Sequence, residues 1–121
     1  MLFAPVSLVL AMIPVAAPAA TMESEVPQLL GRMETSGCEF YRNGTWASGA
    51  TARAHLERKY RAMRDRNLIA TSEEFIERGA TQSSMSGEPY RVRCVGEGAV
   101  ESAVWFRQEL QRLRAAAGKK Q

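Results

Sequence analysis

Histidine occurs once in this 121-residue sequence and cysteine twice, and these scarcities remove whole classes of chemistry. One histidine and two widely separated cysteines cannot supply the clustered ligands of a zinc site, and no acidic loop has a calcium-binding pattern, so no metal is expected. The distance from Cys38 to Cys94 excludes a Cys-x-x-Cys redox centre. Phosphate-cradling glycine loops are missing too, because Gly96-Glu97-Gly98 lacks the rest of any such motif; no cofactor is expected. Charge of one sign is scarce: 16 Lys and Arg against 13 Asp and Glu leave +3, far from the dense basic patches of a specific nucleic-acid binder. No internal repeat or low-complexity linker divides the chain, which has room for one domain.

What is present begins with an apolar N-terminus. Leu2 to Ala20 holds no charged or strongly polar side chain except Ser7, and Ala16-Ala17-Pro18-Ala19-Ala20 ends it in small residues. This pattern predicts a signal peptide over residues 1–20, cleaved near Ala19 or Ala20, and a domain over 21–121 that is periplasmic or secreted. The alternative is an uncleaved anchor, since about twenty apolar residues can span a bilayer. Pro5, Pro14 and Pro18 argue against it, while the lack of Lys or Arg ahead of the run is unusual for a leader. After cleavage no transmembrane domain would remain.

Export makes the cysteines readable as one structural disulfide, Cys38 to Cys94, with two free buried thiols as the alternative. Such a crosslink is worth about 4 kcal/mol on the chain-entropy account.

Hydrophobic periodicity predicts a first helix from Ser24, as N-cap, to Thr35, with Val26, Leu29, Leu30 and Met33 inward, Pro27 in its first turn and Gly37 beyond its end. Cys38 to Arg42 reads as a strand, Asn43-Gly44 as a hairpin turn and Thr45-Trp46 as the start of the return strand. Asn43-Gly44-Thr45 also matches a glycosylation triplet, but the turn already explains these residues. A second helix follows Ser48 to about Arg66, with Ala52, Leu56, Tyr60 and Met63 inward and Arg53, Arg58, Lys59, Arg61, Arg64 and Arg66 outward. Thr71 and Glu74 have capping-box spacing ahead of a short third helix closed by Gly79, with Ala70 and Phe75 placed for a staple. Only Phe75 and Ile76 are large and apolar there, so the caps are expected to outweigh the core. Thr81 to Met85 reads as loop or short strand, Ser86 to Pro89 as a turn and Tyr90 to Cys94 as a strand. A last helix is predicted from Val100 to Ala117 with Ala103, Phe106, Leu110 and Leu113 inward and Trp105 just off the stripe, before a basic tail.

Pairing the two cysteine strands antiparallel sets Cys38 opposite Cys94, Phe40 opposite Val92 and Arg42 opposite Tyr90. The other face then joins Glu39 to Arg93 and Tyr41 to Arg91, an ion pair and a cation over an aromatic ring. The expected fold is α+β, with about four helices on a short two- to three-stranded antiparallel sheet and one disulfide.

His55 alone has an unperturbed pKa near neutrality. A hydrolase reading pairs it with Ser83, Ser84 or Ser86 as nucleophile and Glu57, Glu73 or Glu74 as orienting acid. No nucleophile elbow accompanies these serines, and a histidine beside Leu56 is ordinarily a residue flanking the core. Trp46 and Trp105 suit either core packing or contact with a carbohydrate or peptide. The basic second helix is either a solvated face or a surface for anionic lipid or polymer.

Arg42-Asn43-Gly44, His55-Leu56 with Lys59, Thr71 with Phe75-Ile76, Ser83-Ser84, Ser86-Gly87, Pro89-Tyr90 and Val92 occur in an order that resembles the YfeK-like family of small exported bacterial proteins of unknown function. The resemblance covers about Met22 to Leu113 and implies a bacterial, signal-bearing, periplasmic protein, with no activity, cofactor or catalytic residue to carry over. The reading therefore leans away from an enzyme and towards a monomeric module that binds an envelope partner, protein or polymer. Its candidate surface is Arg42, His55, Lys59, Ser83, Ser84 and Tyr90.

Overall fold

A computed structural model describes residues 2–13 and 20–119. Pro14, Pro18 and Ala19 of the expected cleavage region, and Lys120-Gln121 of the basic tail, lie outside the described residues. Residues 2–13 form neither helix nor strand, and no helix among the described residues is long and apolar enough to cross a membrane.

The elements run α1 (Met22–Thr35), β1 (Glu39–Arg42), β2 (Thr45–Ser48), α2 (Gly49–Asp65), α3 (Ser72–Gly79), β3 (Arg91–Arg93), β4 (Val100–Glu101) and α4 (Ser102–Gly118). All strands pair antiparallel in the order β2-β1-β3-β4. The sheet therefore has four strands rather than two or three. The additional one is β4: Val100 and Glu101, expected in the last helix, instead pair with Val92 and Arg91 and occupy the free edge of β3. The helix starts at Ser102, whose N–H donates to the Tyr90 carbonyl.

Asn43 and Gly44 both have positive φ, 47° and 88°, the conformation that a two-residue hairpin turn demands. The expected β1–β3 register is observed, with Glu39 opposite Arg93, Phe40 opposite Val92 and Tyr41 opposite Arg91. Just outside the paired residues, Cys38 and Cys94 form the disulfide with their Cα atoms 4.2 Å apart. Phe40 and Val92 point into the core. On the opposite face Arg93 bonds Glu39 at 3.1 Å and stands 4.0 Å from the centre of the Trp46 ring, and Arg91 lies over Tyr41.

The helices bury the stripes expected of them, with corrections at their ends and in the balance of caps and core. α1 begins one turn-start earlier, at Met22, because Met22 is itself buried and Thr21 and Ser24 cap reciprocally. Ser24 is thus the third helical residue rather than the N-cap, and Pro27 falls in the second turn. Pro27 and Glu23 are exposed, so the carbonyl left without its N–H partner faces water. In α3, Thr71 Oγ1 accepts from the Glu74 N–H, but Phe75 and Ile76 are also wholly buried. Burial of each is worth about 1.5–3 kcal/mol against about 1 kcal/mol for a cap, so the core outweighs the caps. Ala70 is exposed, and the residue ahead of α3 that packs inward is Ile69. Trp105 belongs to the core, edge-on to both Phe40 and Phe106.

One buried charge ties three helices together. Glu25 of α1 accepts two hydrogen bonds from Arg114 of α4, at 2.9 and 3.0 Å, and one from Ser72 of α3 at 2.8 Å. Arg114 holds the Glu25 carboxyl below the usual carboxylate range, burial opposes this, and Ser72 assists. Because the folded pKa is depressed, this stabilisation is present above the unfolded pKa, about 4.3, and disappears as pH falls through the folded value. Arg114 is half exposed, so Glu25→Gln is expected to cost about 2–3 kcal/mol at neutral pH, less than breaking a fully buried pair. In urea unfolding at a series of pH values, the gap between wild type and variant should stay constant near neutrality and close below about pH 4. A gap that persists unchanged into acid would assign the loss to packing instead.

Candidate binding site

Leu56 and Tyr60 pin α2 to the core, and the helical repeat sets His55 and Lys59, four residues apart, on one side of that seam. Across from them stand Arg42, at the end of β1, and Tyr90, immediately before β3. Tyr90 is buried, and its hydroxyl gathers the cluster. His55 Nε2 lies 3.3 Å from it, and Lys59 Nζ donates to it at 3.3 Å and to the Gln82 carbonyl at 3.1 Å. The Lys59 ammonium also lies 5.1 Å from the centre of the Tyr90 ring, a cation–π contact.

Arg42 Nη1 is 3.3 Å from His55 Nδ1. A guanidinium can only donate, so Nδ1 is the acceptor and the neutral ring carries its proton on Nε2, towards Tyr90. The Tyr90 oxygen then accepts from both His55 and Lys59, which leaves its own proton to donate elsewhere.

His55, Lys59 and Tyr90 are each pushed towards the neutral form. Burial lowers the His55 pKa, helped by Arg42, Lys59 and Arg58; burial and Arg42 lower that of Lys59. Burial raises the Tyr90 phenol while Arg42 pulls it down, and burial wins. Among the described residues no carboxylate joins the cluster. Beneath Arg42, His55 and Tyr90 opens a pocket of about 50 Å³, floored by Met33, Phe40 and Leu56. It has room for a few water-sized groups.

A model of a family of unknown function, DUF5329, matches residues 20–114. The chain belongs to this family. No curated protein and no solved structure matches it.

In this DUF5329 member the loop before Tyr90 is built around Ser83 and Asn43. Ser83 is buried, and its hydroxyl accepts from the Asn43 side-chain amide at 3.2 Å and from the Ser86 N–H at 3.3 Å. Ser86 in turn donates to Asn43 Oδ1 at 2.7 Å, and the Tyr41 hydroxyl donates to Glu88. A single bridge, Gln82 to Pro89, closes the loop, so Thr81 to Met85 is loop rather than a further strand.

The expected site residues thus divide. Arg42, His55, Lys59 and Tyr90 come together; Ser83 sits behind them as a support for the loop; Ser84 is exposed on its outer side. No hydrogen bond joins His55 to Ser83, Ser84 or Ser86 among the described residues. The acids considered as orienting groups are engaged elsewhere: Glu57 with Arg61, Glu73 with Arg114 and Glu74 with Thr71. The basic face of α2 is likewise partly neutralised, by Arg53–Glu34, Arg61–Glu57 and Arg64–Asp65.

Sequence reasoning misses the part played by Asn43, because the Asn-Gly turn accounts for it completely and nothing local hints at a contact forty residues away. It also misses Tyr41 and Glu88 as the second tie on the loop.

Proposed function

We propose that this DUF5329 member is an exported, non-enzymatic and monomeric binding module, and that its envelope partner, a protein or polymer, docks at Arg42, His55, Lys59 and Tyr90 beside the Ser83–Pro89 loop. The observation that carries this reading is the cluster itself: cationic side chains without a carboxylate among the described residues, around a pocket and behind a loop tied down at Asn43 and Tyr41. Unneutralised charge at a partly buried site costs stability, so its retention favours a ligand that supplies the opposite charge. Export is supported by the Cys38–Cys94 crosslink, which suits an oxidising compartment, and by the apolar residues 2–13, whose large side chains are exposed. The order of Asn43-Gly44, His55, Ser83-Ser84 and Pro89-Tyr90 supports the finer placement among YfeK-like proteins.

The reading is tested by crosslinking the protein in its native envelope and comparing wild type with Arg42→Gln and Lys59→Met. Both variants should fold and lose most of the crosslinked species captured by wild type. Capture that is equal in all three proteins would refute it.

A further inference from the structure

The interior of the candidate site restricts what can enter it. Arg42, His55 and Lys59 point to the Tyr90 hydroxyl or its immediate surroundings; the charged groups that depress the His55 pKa are Arg42 from β1 and Arg58 and Lys59 from α2, and Arg91 of β3 lines the same pocket. Glu88, the acid on the neighbouring loop, is engaged by Tyr41. The pocket is large enough for the head of a carboxylate or phosphate. Its donors suit the same chemistry: the Arg42 guanidinium, the His55 ring and the Tyr90 hydroxyl line one opening, with Lys59 donating to that hydroxyl from outside the lining and an apolar floor that strengthens each charge-assisted bond.

Resting on the binding reading above, we propose that this pocket is a site for one oxyanion group, a carboxylate or a phosphate, held by Arg42, His55 and the Tyr90 hydroxyl, with Lys59 supporting that hydroxyl. The group would belong to the end or side chain of the partner. An anion seated there draws Arg42 away from His55 Nδ1 and offsets the cations that disfavour the imidazolium. His55 then takes up a proton on Nδ1 and becomes a further donor. Occupancy and protonation of His55 are therefore coupled, and affinity rises as pH falls.

The test uses the folded chain labelled for NMR, titrated separately with sodium acetate and with inorganic phosphate, with sodium chloride at equal ionic strength as the reference. Saturable shifts of the His55 and Tyr90 ring signals with one or both anions, beyond those with chloride, are expected. The anion that binds more tightly identifies the group as carboxylate or phosphate. The His55 titration midpoint should move up when the anion is bound. Acetate stays ionised above about pH 6, so its affinity should increase from about pH 8 to pH 6 through His55 alone. Arg42→Gln should weaken binding about tenfold or more, the loss expected for one charge-assisted hydrogen bond.

Shifts no larger than those with chloride, or an acetate affinity independent of pH and of Arg42, would overturn the proposal. If Arg42 and Lys59 prove essential for partner capture while neither anion binds, the binding reading stands and the oxyanion site falls. If the anions bind but the variants still capture the partner, the reverse holds.

Discussion

Serine at both Cys38 and Cys94 is expected to lower the free energy of unfolding by about 4 kcal/mol. The crosslink spans a sequence separation of 56, and closing a loop of that length removes a large part of the unfolded chain's freedom. Domains of this size have total stabilities of about 5–15 kcal/mol, so the loss brings the fold close to its margin. Local structure adds to the effect. The bond joins the start of β1 to the end of β3, next to the turn by which the chain leaves α1, where Gly37 has a φ of 71°. Arg42 and Tyr90 stand at the far ends of those same two strands, and their separation depends on the strand register. Urea unfolding of wild type with and without reductant, beside the double variant, makes the comparison. The reduced wild type and the variant should share one midpoint, well below that of the oxidised protein. Reduction that leaves the midpoint within experimental error would show that the strand pairing holds without the bond.

Gly49→Ala is expected to cost about 3 kcal/mol, although alanine is intrinsically the better helix residue by about 0.5–1 kcal/mol. Gly49 is the first residue of α2. A Cβ placed there lies 2.1 Å from the Met33 carbonyl oxygen, 2.8 Å from its carbon and 3.0 Å from the Glu34 Cα. These are backbone atoms of α1, so no rotamer change relieves the clash and the two helices must separate. Met33 floors the candidate pocket and His55 lines it, so the same separation should weaken binding there. Gly31→Ala is the control. Gly31 lies within α1, and a Cβ there meets nothing within 4 Å, so this substitution should stabilise by about 0.5–1 kcal/mol. Opposite signs for the two glycines, read by urea unfolding, are the expected result. A neutral Gly49→Ala would mean that the α1–α2 junction yields readily.

Both effects bear on how much of this protein can be read from its residues. The β1–β3 register is legible because alternation along Phe40 and Val92 allows one pairing that buries apolar side chains on one face. The same pairing joins Glu39 to Arg93 and Tyr41 to Arg91 on the other. The helical stripes are legible for the same reason, since their period is a property of the chain. The close approach at Gly49 is not legible. A glycine after Ser48 looks like an ordinary helix start until Met33 is placed against it. β4 escapes notice because Val100 and Glu101 continue a helical pattern, and only the open edge of β3 draws them into the sheet.

The sequence by itself determined the disulfide partners, the strand register and the faces that the helices bury. All of these follow from side-chain chemistry and local period. Tertiary structure alone decided that Arg42, His55, Lys59 and Tyr90 meet over a pocket while Ser83 turns away to hold Asn43. It also decided that Glu25 is charged and buried between Ser72 and Arg114. Those groupings join residues far apart in the chain, and whether two distant polar groups satisfy each other depends on how the helices seat on the sheet, which no local pattern encodes.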